Sequence, residues 1–191
     1  KKIVNIAFDT IKGWSDTYEI NFSPSFNVTG GEPFLSSFLP DILRYLQIKE
    51  FELFLLTNGT MIDREKAHML AAIPIEGVQV SIEGPEAVHD RIRGKGSFKK
   101  AMVGVGHLLD AGLVVTLNMT ISEINYAYLQ DLIELASSVG AQRLGFSRLV
   151  PYGRGKDLIR RIIPQQKLRQ VYEDILAIRN NKVSIATGDP V

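Results

Sequence analysis

The sequence predicts an α/β fold with a parallel sheet, and three observations carry that reading. Short runs rich in β-branched and other apolar residues alternate with amphipathic stretches. Each run ends in a cluster of small or polar residues, and the runs are continuous rather than alternating apolar and polar. Continuous apolar strands are those covered on both faces, which occur in doubly wound sheets and in (β/α) barrels alike. Periodicity does not separate the two.

Lys2 to Trp14 places Ile3, Val4, Ile6, Ala7 and Ile11 at helical spacing, with Gly13 as the expected stop. Tyr18 to Pro24 follows neither period and reads as irregular. Ser25 to Thr29 is a short strand running into Gly30-Gly31-Glu32-Pro33, after which Phe38, Leu39, Ile42, Leu43 and Leu46 form one face of a helix. The unit then recurs. Phe51 to Leu56 precedes Thr57-Asn58-Gly59, Val78 to Ile82 precedes Glu83-Gly84-Pro85, Val114 to Met119 leads toward Asn125, and Gln142 to Leu149 precedes Pro151-Tyr152-Gly153. Between them, Ala101, Met102, Val105, Leu108 and Leu109 mark one inward helix face. Leu129, Leu132, Ile133 and Ala136 mark a second, and Leu168, Val171, Ile175 and Ile178 a third.

With 45% hydrophobic and 23% charged residues, the chain of 191 residues can bury a sizeable core, which excludes a disordered tail or a disulfide scaffold. A net charge of +1 gives no global preference for phosphate backbones or anionic bilayers, so neither a nucleic-acid nor a membrane partner is expected. The longest apolar runs fall far short of the roughly 20 residues of a spanning helix, and no signal segment opens the chain, so a cytoplasmic location is expected. Without cysteine, and with His68, His89 and His107 scattered, the sequence offers no metal-ligand set.

In parallel α/β folds the loops at the carboxyl ends of the strands hold ligands, and those loops carry the polar residues here. Gly30 and Gly31 let backbone approach a ligand, and Glu32 can accept from an ammonium; a tight turn with an ordinary glutamate is the plainer alternative. Asn58-Gly59 is equally a turn pair. Ser81 and Glu83 stand at a strand end beside Gly84-Pro85, His89 is expected to orient its loop, and Asn118, between Leu117 and Met119, needs a hydrogen-bond partner. Arg148 has a ligand or Glu83 as its expected partner. Gly94-Lys95-Gly96-Ser97 matches neither the P-loop nor the dinucleotide spacing, so Lys95, Lys99 and Lys100 read as a solvated helix start.

Taken in order, four segments resemble motifs of the radical S-adenosylmethionine (SAM) enzymes: Thr29-Gly30-Gly31-Glu32-Pro33, Thr57-Asn58-Gly59-Thr60, Ser81 to Pro85 with His89 to Gly94, and Arg148 to Gly155. The last two are similar to the subgroup with a cysteine-rich C-terminal extension, the SPASM type. The resemblance implies a partial (β/α)6 TIM-like barrel over residues 1–180, without the family's first strand and cluster loop, and an extension beginning in 181–191. It implies that Gly30, Gly31, Glu32, Pro33, Asn58, Ser81, Arg93, Asn118 and Leu149 hold SAM, Glu32 through the methionine ammonium and Arg93 through the carboxylate. It further implies catalytic assistance from Glu83 and Arg148 and a substrate contact from Tyr152.

The chemistry implied is that of an enzyme in which an electron from a [4Fe–4S] cluster cleaves SAM to a 5′-deoxyadenosyl radical. That radical takes hydrogen from a peptide or small-molecule substrate, and the electron comes from a donor such as flavodoxin or ferredoxin. Peptide modification, sulfatase maturation and quinone-cofactor biosynthesis are the implied settings. The family's cluster needs thiolates, and no residue here replaces them. Two expectations follow: a longer enzyme whose cluster ligands lie outside this sequence, or a cluster-less relative that binds SAM or a peptide without turnover. A phosphate-binding (β/α) barrel is a third, resting on Gly153-Arg154-Gly155 alone.

Overall fold

The computed structural model describes residues 1–151, 159–177 and 183–187. Six strands, β1 (Ser25–Val28), β2 (Glu52–Thr57), β3 (Gly77–Ser81), β4 (Val115–Ile121), β5 (Arg143–Arg148) and β6 (Ser184–Thr187), form one sheet in sequential order, with every neighbouring pair parallel. Parallel neighbours need crossover connections, and right-handed crossovers that always advance in one direction leave their helices on one face. A doubly wound sheet would reverse its strand order. This order does not reverse, so the fold is of the partial TIM-barrel type.

The helices are α1 (Lys2–Tyr18), α2 (Leu39–Ile48), α3 (Arg64–Ala71), α4 (Glu86–Arg93), α5 (Ser97–Asp110), α6 (Leu129–Val139) and α7 (Gln165–Ala177). One row of strand side chains, including Leu53, Leu55, Val78, Val80, Leu117, Met119, Leu144 and Phe146, is buried in a core it shares with Leu43, Leu46, Leu70, Val105, Leu108 and Leu132 from the helices. Each such side chain contributes on the order of 2 kcal/mol by leaving water. The opposite row is mostly polar, with Phe54 and Leu56 of β2 its large apolar members. Strand register sets Leu56, Gln79, Thr116, Arg143 and Ser184 across from one another, and one step nearer the carboxyl ends Ser81, Asn118, Gly145 and Ala186. This inner face lacks the branched apolar layers that fill a closed barrel.

Several elements differ from the sequence reading. Gly13 does not stop the first helix, because the left-handed residue that ends it is Glu19, at φ 52°. Only its Val4, Phe8 and Ile11 stripe packs on the core, while Ile3, Ile6 and Trp14 are exposed. Helices α3 and α4 interrupt stretches that had no assigned element. Ser184–Thr187, inside the segment expected to open an extension, is the sixth strand of the sheet. Tyr152, Gly153, Arg154, Gly155 and Ile178 lie outside the described residues.

Candidate cofactor site

The carboxyl ends of β1 and β2 are tied together by Glu32. It caps a short 3-10 turn (Pro33–Leu35), where its Oε1 accepts from the Phe34 N–H at 3.3 Å. The same oxygen accepts from the Thr57 hydroxyl at 2.7 Å, and Oε2 accepts from the Asn58 N–H at 2.9 Å. Each carboxylate oxygen offers roughly two lone-pair sites, so Oε2 keeps one for a further donor. Beside it, Gly30 and Gly31 have no left-handed φ, and a Cβ built on either meets no atom within 4 Å. The tight-turn explanation requires an unusual backbone or a close neighbour, and neither is present. The fold itself does not need glycine here.

Asn58 turns its side chain inward on its own loop, where Oδ1 accepts from the N–H and hydroxyl of Thr60 at 2.8 and 2.7 Å. Its backbone, not its amide, reaches Glu32. Gly59 sits at φ 75° and lies under α5, whose Gly104 would place a Cβ 2.2 Å from the Gly59 carbonyl oxygen. Thr57 completes the turn by accepting from the Gly59 N–H at 3.0 Å.

Past β3, Glu83 is 2% exposed and fully engaged. Its Oε1 accepts from Arg93 Nε at 2.9 Å and from Nη2, and its Oε2 from the Thr120 N–H at 3.0 Å and Asn125 Nδ2 at 3.4 Å. Desolvating a carboxylate is expensive, and this donor set offsets the loss. The arrangement leaves Glu83 holding its neighbours rather than offering a free base. Arg93 spends Nε and Nη2 on it, which leaves the Nη1 edge of a side chain 33% exposed for a ligand.

The Glu83 N–H donates to His89 Nδ1 at 3.1 Å, which fixes the imidazole tautomer with its proton on Nε2. Burial, then the nearby Arg93 charge, holds that imidazole down at about 4, so it is neutral near pH 7. His89 therefore orients its loop. Asp90 accepts from the N–H groups of Gly96 and Phe98 at 2.6 and 2.9 Å at the start of α5, and these bonds hold its carboxyl below the usual range.

Ser81 pairs in register with Asn118, which pairs with Gly145. Gly145 makes room for this amide, since a Cβ there would lie 2.5 Å from Asn118 Oδ1; that oxygen also accepts from the Ser147 hydroxyl at 3.4 Å. The Leu149 N–H donates to the Ile121 carbonyl at 3.2 Å, and Leu149 lines two adjoining cavities. One, of about 680 Å³, contains Glu83 and Arg93; the other, of about 530 Å³, contains Arg148. Arg148 lines the second of these cavities. Tyr152 lies outside the described residues.

The contacts link the predicted residues along one edge: Glu32 to the end of β2, β2 to β3, Ser81 to Asn118, and Glu83 to Arg93 and the β4 loop. Two residues that sequence reasoning did not assign hold this edge together. Thr57 bridges Glu32 to its turn, and Asn125, wholly buried, donates from Nδ2 to the carbonyls of Thr120 and Glu83 while Oδ1 accepts from Ser122. Ser122 and Asn125, three apart after a strand, carry a side-chain turn pattern that is the one local signal for this. Among the described residues no group of His, Asp or Glu is arranged to hold a metal ion, and no helix is long and apolar enough to cross a membrane.

Known proteins resemble this chain in sequence and in fold. A profile of the Radical SAM superfamily covers residues 4–136. The AdoMet-dependent heme synthase of Nitratidesulfovibrio vulgaris is 31% identical over 170 residues, 88% of this chain and 45% of that protein. The mycofactocin maturase MftC of Mycolicibacterium smegmatis is 34% identical over 166 residues, 85% of this chain and 41% of that protein. Streptococcus suis SuiB, crystallised bound to S-adenosylmethionine, superposes with a TM-score of 0.73 at 16% identity over 86% of this chain and 39% of its own. The chain therefore spans less than half the length of these relatives. With the family profile spanning most of the chain and two relatives above 30% identity, the chain belongs to the radical SAM superfamily of enzymes.

Proposed function

We propose that this chain is the SAM-holding part of a radical SAM enzyme acting on a peptide or small-molecule substrate. The observation that carries the reading is the Gly30-Gly31-Glu32 corner, where backbone space that the fold does not use adjoins a carboxylate with an unspent acceptor site. A methionine ammonium fits that acceptor. The Nη1 edge of Arg93 suits the SAM carboxylate, held in place by Glu83, and Ser81 and Asn118 offer hydroxyl and amide groups from the inner face. Glu83, Thr57 and Asn125 act as positioning residues, because each spends its polar atoms on neighbouring loops.

When bound, SAM supplies a sulfonium whose one-electron cleavage begins the family's radical chemistry. The iron–sulfur cluster is a different matter. The chain has no cysteine and does not fit that group, so in this reading any cluster takes its ligands from outside this sequence. The names of the related heme synthase and maturase support cofactor-type or peptide substrates.

Equilibrium dialysis with labelled SAM tests the reading. Gly31→Val should weaken SAM by at least about tenfold, ~1.4 kcal/mol, without moving the melting temperature, since its new side chain enters ligand space. Glu32→Gln should weaken it by a similar or larger factor through loss of a charge-assisted hydrogen bond. Equal SAM affinity in Gly31→Val and the parent would overturn the assignment.

A further inference from the structure

The cavity of about 680 Å³ beside Glu83 has a charge imbalance that the cofactor reading leaves unexplained. Its size is that of a small-molecule site, roughly 300–1,000 Å³. It is lined by three arginines, Arg91, Arg93 and Arg161, against a single carboxylate, that of Glu83. Glu83 is spent on Arg93. Among the described residues, Arg91 and Arg161 have no ion-pair partner. In a chain whose formal charge is only +1, this concentrates positive potential in one cleft, where low-dielectric walls focus it.

The two arginines come from separate elements that line the same cavity. Arg91 stands in the last turn of α4, whose end is held by Asp90 and the Arg93–Glu83 pair. Arg161 belongs to the segment before α7, and its carbonyl accepts from the Glu123 N–H at 2.9 Å, which fixes it over the end of β4. Ile124 and Leu149 supply apolar wall between them. A planar guanidinium pairs bidentately with a carboxylate, and an apolar wall suits a carbon skeleton.

We propose that Arg91 and Arg161 bind the carboxylate or carboxylates of an organic acid substrate, presented to SAM held by Arg93 and the Glu32 corner. The carboxylate can belong to a small di-acid or to the C-terminus of a peptide. The role as substrate rests on the SAM reading; the binding of the acid does not.

The test is isothermal titration of the full-length protein with glutarate and with N-acetyl-leucyl-leucine, each beside its neutral amide, and with inorganic phosphate. SAM affinity is measured on the same samples. The free acids should bind at least about tenfold more tightly than their amides. R91Q and R161Q should each weaken the acid by about tenfold or more, the loss of one charge-assisted contact. Both side chains are in exposed residues, so both variants should keep the parent's melting temperature and SAM affinity. Binding of glutarate alone identifies a small di-acid, and binding of the dipeptide alone a peptide terminus. Equal binding of acid and amide, equal binding of phosphate, or loss of SAM with the acid unaffected in R91Q or R161Q overturns the proposal. Acids that bind through these arginines to a protein that does not take up SAM would sink the cofactor reading and leave this one standing.

Discussion

Gly104→Ala sets two effects of opposite sign against each other at one position. Alanine is favoured over glycine in a helix interior by about 1 kcal/mol, which by itself would stabilise α5. The new Cβ, however, would lie 2.2 Å from the Gly59 carbonyl oxygen, 3.2 Å from its carbon and 3.2 Å from the Ile62 Cβ. The obstacle is backbone, and that backbone has little room to retreat. Gly59 stands at φ 75°, its own missing Cβ would meet Val80 at 2.7 Å, and its carbonyl already accepts from the Ile62 N–H at 3.3 Å. Overpacking costs about 1–3 kcal/mol, and a 2.2 Å approach to backbone puts this site at about 2–3 kcal/mol, which leaves a net loss of about 1–2 kcal/mol after the propensity gain. At about 2–4 °C per kcal/mol for a chain of this size, the melting temperature should fall by roughly 2–8 °C. Gly106→Ala is the internal control: it lies in the same helix with nothing within 4 Å of its Cβ, so it should melt about 1–4 °C higher than the parent. Thermal unfolding followed by circular dichroism reads both. SAM affinity should drop only in Gly104→Ala, because the displaced turn carries the Asn58 N–H that meets Glu32. A Gly104→Ala variant that melts at or above the parent would refute the packing argument.

Two further outcomes are expected. Glu83→Gln should destabilise the protein by about 3 kcal/mol in urea titration, the low end for a broken buried pair because Arg93 is 33% exposed; a change under about 0.5 kcal/mol would show that the pair does not hold the loops. His89 should make stability fall on acidification. Its imidazole takes a proton near 6.5 when unfolded but only at about 4 when folded, so between those values the unfolded state binds more protons. The contribution is fully present above pH 6.5 and is lost as pH drops through that window, with a slope of up to about 1.4 kcal/mol per pH unit. From pH 7 through 6 to 5 the urea midpoint should fall less steeply in His89→Gln, which keeps an acceptor for the Glu83 N–H, than in the parent. Identical pH slopes in the two proteins would remove His89 from the account.

What could be read from the sequence was what chain-local chemistry encodes. The runs at Phe51, Val78, Val114 and Gln142 became β2 to β5 within a residue or two, because an apolar run bounded by small polar residues has few other stable uses. The motif residues could be placed at strand ends for the same reason. Long-range bridges were not readable. Glu83 and Arg93 are ten apart, a spacing with no helical or strand meaning, and become partners only when α4 folds back over the end of β3. Gly104 interrupts a helix pattern without altering its period, and its purpose appears only against a turn 45 residues earlier. Gly13 carried a stop signal that the backbone did not use, since the left-handed position fell at Glu19. The strand at Ser184–Thr187 is too short to announce itself, and its place comes from pairing with β5.

The polarity of the inner face links these scales. Sequential parallel strands assign each residue to the helix side or the inner side by its parity alone, and a one-residue slip exchanges the two. In β4, Val115, Leu117, Met119 and Ile121 meet the helices while Thr116, Asn118 and Thr120 face inward, so a slip would bury an amide and two hydroxyls in the apolar layer. That penalty locks the register. The register in turn delivers Asn118 beside Ser81 and opposite Gly145, the position whose missing side chain gives the amide its space. The apolar side of the sheet therefore fixes the geometry, and the polar side inherits a defined arrangement without supplying the energy for it. Substitutions such as Ser81→Ala should accordingly change ligand affinity while leaving stability close to the parent, the reverse of what Leu117→Ala on the same sheet should do, about 2–5 kcal/mol of stability lost with the inner face intact until the fold gives way.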